Sequence, residues 1–180
     1  MGQDPLTLII STIGGLYLFI IILRFLLQLS RADYYNPISQ AVVRLTNKPL
    51  VPFQKILPRA GRWDLSALIL ALLVKFATLA LIVMINGGAL QIPSMLIFSA
   101  ITVVDTVLMV YFWAVLASVI ISWVAPGSYH PGPQLIQQLT EPLMELARKV
   151  IPPLGGLDLS PILIFLVIQI IRGQLAPYVI

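Results

Sequence analysis

Cysteine is absent from the 180 residues, and histidine occurs once, as His130. Without cysteine the chain can form no disulfide, no thiolate metal site and no cysteine nucleophile. One histidine leaves no histidine-based metal cluster or catalytic triad. Charge is scarce too. Only 10% of residues are Asp, Glu, Lys or Arg, against about 25% in soluble domains. The formal net charge of +4 is too small to point to nucleic acid. The first seven residues carry Asp4 and no Lys or Arg. A signal peptide opens with a basic segment, so none is expected. His-Glu-x-x-His, Gly-x-Ser-x-Gly and the glycine-rich phosphate loop are all missing. These absences point away from an enzyme, and no cofactor or metal is expected.

What the chain has in excess is apolar surface. It is 59% hydrophobic, with a mean hydropathy of +0.98, where soluble domains run about 45–50% apolar. A water-soluble fold of this length cannot hide so much, so the solvent must be lipid. Four runs can cross a bilayer, which takes about 20 residues as a helix. They cover residues 6–29, 65–85, 95–124 and 159–180. Helix is required because every backbone group must be paired inside lipid. The expected class is all-α, a polytopic membrane helical bundle with four transmembrane helices.

Basic residues set the orientation. Arg31, Arg44, Lys48, Lys55, Arg59 and Arg62 lie between the first two runs, and Arg148 and Lys149 between the last two. The turn around Asn86-Gly87-Gly88 and the N-terminal tail hold none. Positive loops stay in the cytoplasm. Both long loops are therefore expected inside and both termini outside.

An ordered series of punctuating residues occurs twice. From Thr46 come Pro49-Leu50, Lys55, Pro58, Gly61 and Asp64-Leu65-Ser66. From Thr140 come Pro142-Leu143, Arg148-Lys149, Pro152, Gly155-Gly156 and Asp158-Leu159-Ser160-Pro161. Asp64 and Asp158 lie 94 positions apart. Such a period marks an internal repeat, here residues 1–93 and 94–180. Each copy holds two spans, so both insert the same way up, related by an axis along the membrane normal.

Each long loop reads as two short amphipathic helices lying in the headgroup plane. Ile38, Ala41, Val42 and Leu45 precede a break at Pro49, and Leu50, Phe53 and Leu57 follow it. Leu135, Ile136 and Leu139 precede Pro142, and Leu143, Leu146, Ala147 and Val150 follow it. Thr140 is the expected N-cap of the last of these. Tyr34, Tyr35, Trp63 and Trp123 fall at the boundary, where amphipathic rings anchor. These helices serve either as lids over the bundle or as recruiting surfaces.

Asp64-Leu65-Ser66 and Asp158-Leu159-Ser160-Pro161 each open a span. Short oxygen-bearing side chains accept from the exposed N–H groups of a helix start, and proline suits the first turn. Capping alone accounts for them. A second reading has these starts, with Arg59, Arg62, Arg148 and Lys149, holding lipid phosphate.

These residues carry a resemblance to the YggT family, called YlmG in some lineages, of bacterial and plastid membrane proteins. The matching features are the duplication, Asn36-Pro37, the Thr-x-Pro-Leu step, the basic-apolar-Pro step and Gly-x-x-Asp-Leu-Ser-Pro. The second copy matches better. The first has Lys48 inserted before Pro49, and Ala67 where the second has Pro161. The resemblance implies a small multi-pass protein of the bacterial cytoplasmic (inner) membrane. Relatives are linked to osmotic tolerance, to division or nucleoid organisation, and to cytochrome assembly in plastids. It implies no reaction and no catalytic residues.

Arg24, Lys75, Asp105 and Arg172 fall inside the spans, where ionisable groups are expensive and usually paired. Lys75 and Asp105 lie at similar depth and are expected to pair or to share a watered pocket. The repeat offset carries Lys75 to Gln169 and Asp105 to Ser11, which predicts a second, neutral pair. Arg24, near the cytoplasmic end, is expected to snorkel. Arg172 either snorkels outward or binds Asp105. His130, before Pro131, reads as a turn residue rather than a metal ligand.

Two functions remain. One is a non-enzymatic scaffold, assembly or stress-related factor. Its basic loops, through Arg44, Lys48, Lys55, Arg59, Arg62, Arg148 and Lys149, would engage anionic inner-leaflet lipid or a membrane or cytoplasmic protein, or mediate self-association. The other is a small ion or osmolyte channel or transporter built on Lys75 and Asp105.

Overall fold

The computed structural model describes residues 4–57, 63–153 and 158–178. The expected Arg59, Gly61 and Arg62 and the Gly155-Gly156 step lie outside them. Among the described residues six α-helices follow one another: α1 (Pro5–Leu29), α2 (Pro37–Ile56), α3 (Leu65–Ile85), α4 (Ile92–Val124), α5 (Pro131–Val150) and α6 (Ser160–Leu175). A 3-10 turn, Ala176–Tyr178, ends the described chain. Four segments are long and apolar enough to span a membrane: α1, α3, α4, and α6 with its turn. The all-helical expectation holds, because a peptide group in hydrocarbon has only its own helix to bond with.

At 33 residues, α4 is about 50 Å long, well beyond a ~30 Å hydrocarbon layer. Its C-terminal half packs on the next helix, with Val115 buried against Met144 and Ala147 of α5, while Trp123 and Val124 at its end are exposed.

The loop helices differ from expectation. Pro49 and Pro52 lie inside one continuous α2, and Pro142 inside one continuous α5. Proline removes the bond to the carbonyl four residues back. In α2 the freed carbonyls belong to Leu45 and Lys48, both exposed, where water or headgroups can bond them. Thr140 is therefore no N-cap. It sits mid-helix, and its hydroxyl donates to the Ile136 carbonyl at 2.9 Å.

The buried stripes are also rotated from the expected ones. In α2 it is Ser39, Val42, Thr46 and Leu50 that face inward, while Ile38 and Leu45 are exposed. In α5 it is Leu135, Leu139, Thr140, Met144 and Ala147, with Leu146 and Val150 outside.

α2 and α5 start side by side at one end of the bundle. The Asn36 side chain accepts from the Ile38 N–H at 2.9 Å, capping α2, and its amide donates to the Pro131 carbonyl at 2.7 Å. The Asp33 N–H donates to the Gln138 side chain at 2.8 Å. Just before this junction α1 closes with paired bonds, Arg31 N–H to Gln28 and Ala32 N–H to Leu27. Arg31 adopts φ +57°, where glycine is usual and a side chain costs about 1–2 kcal/mol.

Burial concentrates at this end. In α1, Leu18, Ile21, Ile22, Phe25, Leu26 and Leu27 are buried, while Leu6, Ile9, Ile13 and Leu16 are exposed. α3 packs on α1 and α2, α6 packs on α4 and α5, and α3 along α4 joins the two halves.

Gly14 lets α1 approach α3. A Cβ there would lie 2.7 Å from Cγ2 of Thr78, closer than real Cβ atoms come, whereas Gly15 faces open space. Gly14→Leu should destabilise the fold by about 1–3 kcal/mol, and Gly15→Leu should be near neutral. Reversible unfolding in mixed micelles reads both.

Candidate functional site

Two polar regions merit a functional reading: the surface made by α2 and α5, and the ionisable groups within the spans. On α2 the exposed residues Arg44, Leu45, Lys48, Val51, Lys55 and Ile56 share one face. Basic and apolar side chains alternate there, as suits a helix at a membrane surface. Lys149 on α5 is exposed as well. Arg44 makes a long contact, 3.5 Å, with Gln40.

Arg148 behaves differently. It donates to Glu141 at 2.7 Å and to Asp158 at 3.0 Å, clasping α5 to the approach of α6. Its assignment as a lipid-binding residue is corrected, since two carboxylates occupy its guanidinium fork. The bond to Glu141 raises its pKa above the ordinary arginine value against the opposing effect of burial, and Asp158 adds to the rise. Burial pushes the Asp158 carboxyl up, but hydrogen bonds from Ser160 and Arg148 outweigh it and leave its pKa below 3.8.

The two aspartates stand at different positions in their helix starts. Asp64 is buried and accepts from the Ala67 N–H at 3.2 Å. Asp158 accepts from the Ser160 N–H at 2.9 Å, one residue ahead of the Leu159 N-cap position. Ser66, Ser160 and Pro161 are buried inside the first turns rather than capping them.

Arg24 does not snorkel. It is buried and donates to Thr46 Oγ1 at 2.9 Å and to the Val43 carbonyl at 3.3 Å. It thereby fastens α2 beneath α1, which is why polar Thr46 turns inward.

The expected Lys75–Asp105 pair is not formed. Asp105 binds Arg172 with both oxygens, at 2.7 and 3.3 Å. Equal depth was the wrong criterion, because a helix also has faces. Asp105, Leu108, Phe112 and Val115 recur at helical spacing on the side of α4 that meets α6, where the Phe112 ring packs tilted against Phe165. Lys75 borders two crevices elsewhere. One is lined by Gln91, Ser94 and Thr102, the other by Ser11, Thr12, Thr102 and Thr106. The neutral pair fails too. The Ser11 hydroxyl donates to the Leu8 carbonyl, and Gln169 is exposed. Among the described residues no His, Asp or Glu cluster could hold a metal.

Comparison with known proteins settles the relationship. The family model described as CCB3/YggT matches residues 3–85 and again 97–179. The chain belongs to the CCB3/YggT family. An uncharacterized protein of Pseudomonas aeruginosa is 50% identical over 165 residues, covering 91% of this chain and 84% of the relative. A Vibrio alginolyticus protein is 36% identical over 170 residues, covering 93% and 91%. Escherichia coli K12 YggT is 30% identical over 174 residues, covering 97% and 90%. No solved structure matches the chain.

Several residues of this YggT-family chain escaped sequence reading: Asn36 as the link between α2 and α5, Thr46 as the seat of Arg24, and Glu141 as the second partner of Arg148. Only the Asn-Pro step advertised the first. The others needed helix faces that hydropathy alone misplaced.

Two measurements test this geometry. In a double-mutant cycle Asp105→Asn and Arg172→Gln should couple by about 1–2 kcal/mol, and Lys75→Met should not couple to Asp105→Asn. The Asp158 contribution should be intact above about pH 3.8 and fade as pH falls through its lowered pKa. Amide exchange at Ser160, Ile162 and Leu163 should rise there, while Asp158→Asn should exchange faster already at pH 6.

Proposed function

We propose that the chain is a non-enzymatic scaffold or assembly factor, with a stress-related role, in the bacterial cytoplasmic membrane. In this reading the α2–α5 layer rests on the inner leaflet and both termini lie outside. Exposed Arg44, Lys48, Lys55 and Lys149 attract anionic lipid, worth about 1 kcal/mol per basic residue near such a surface. The intervening apolar residues insert or receive a protein partner or second copy. The observation that carries the reading is the junction of α2 and α5 through Asn36–Pro131 and Asp33–Gln138. It gathers both amphipathic helices into one surface at one end of the bundle.

The alternative, a small ion or osmolyte channel or transporter, retains one supporting feature. Lys75 borders a crevice of about 240 Å³ reaching Gln91 and Ser94 beside the α3–α4 turn. Without Asp105 at its side, a lysine there would oppose cations.

Photo-crosslinkers at Leu45 and Val150 in native membranes should capture lipid or protein. Charge reversal of Arg44, Lys48 and Lys55 together should cut that capture at least tenfold with insertion unchanged. Undiminished capture sinks the scaffold reading. Reporters at residues 50 and 145 should both report the cytoplasm.

A further inference from the structure

We infer that a crevice between the C-terminal end of α1 and the inner side of α2 is a binding site for a phosphate ester, the headgroup of an anionic phospholipid. The crevice has a volume of about 640 Å³, and Arg24, Gln28, Arg31, Tyr34, Ser39 and Asn47 are among the residues lining it. The inference rests on the reading that this end of the bundle meets an anionic leaflet.

Four observations converge. First, two arginines line the crevice and no described lining residue is acidic. Arginine forks match phosphate oxygens in pairs. Second, the Ser39 hydroxyl is buried to 5% exposure and has no hydrogen-bond partner among the described residues. A buried hydroxyl without a partner is costly, and an anion in this crevice would accept from it. Third, Arg31 holds its left-handed backbone where glycine would be easier, and such strain is a pointer to function.

Fourth, the molecule contains its own control. Adding 94 to Arg24, Gln28, Val43 and Asn47 gives Ser118, Ser122, Gln137 and Glu141, and these residues line a crevice of about 460 Å³ between α4 and α5. The shape recurs but the charge does not. Arg148 in that second crevice is bound by Glu141 and Asp158. A pair of arginines is therefore not something this architecture requires. Two arginines line the first crevice, with Arg24 bonded to Thr46 and the Val43 carbonyl, and the second holds its one arginine between two carboxylates. Tyr34 and Tyr35, both exposed, stand beside the first crevice at the depth where aromatic rings meet headgroups.

The test uses the purified full chain in nanodiscs and native mass spectrometry. Phosphatidylglycerol is offered in competition with phosphatidylcholine, and inorganic phosphate is offered separately. The expected result is selective retention of phosphatidylglycerol, weakened about tenfold or more in Arg31→Gln and in Ser39→Ala. Arg31→Gly is the decisive variant. It should raise the melting temperature by relieving the backbone while losing the lipid, a combination no purely structural role for Arg31 produces. Retention unchanged in all three variants overturns the site. Arg31-dependent binding of inorganic phosphate at the same strength overturns the lipid as occupant and makes the site one for soluble phosphate. Loss of retention in Arg44→Gln/Lys48→Gln/Lys55→Gln alone overturns the crevice and leaves the wider surface reading standing. Insensitivity to both sets of variants removes the two readings together.

Discussion

Hydrocarbon forces each span to satisfy its own backbone, yet gives helices no hydrophobic reason to prefer one another over lipid. Everything specific in this bundle therefore comes from close approach and polar contact. Gly14 opposite Thr78 draws α1 onto α3, Arg24 on Thr46 ties α2 beneath α1, and Asp105 with Arg172 joins α4 to α6. The apolar faces left outside are the surface that meets lipid, not defects in packing.

Those contacts are uneven along the bundle. The end that carries α2 and α5 holds the buried cluster, the two aspartate helix starts and the Arg148 clasp. Toward the other end α1 exposes residue after residue. The CCB3/YggT family model matches both halves of the chain, and each half runs as a span, a helix with internal proline and a second span.

Sequence was most informative where the chemistry is local. The spans were legible because runs of about 20 apolar residues have one stable conformation in lipid. The aspartate caps were legible because a carboxylate beside a helix start has few other uses. The prolines misled in the opposite sense. Pro49 and Pro142 look like breaks, but α2 and α5 continue through them, and in α2 the residues whose carbonyls are freed are exposed.

The solvent, the helical class, the four spans and the places where two of those spans begin were fixed by composition and order of residues alone, since each depends on neighbours in the chain. Which way each helix faces was settled only by tertiary structure. Asp105 turned to Arg172 rather than Lys75, Thr46 turned inward toward Arg24, and Arg148 was claimed by Glu141 and Asp158. Depth follows from counting residues. Azimuth follows from what the adjacent helix offers, and that neighbour is brought near by folding, not by sequence.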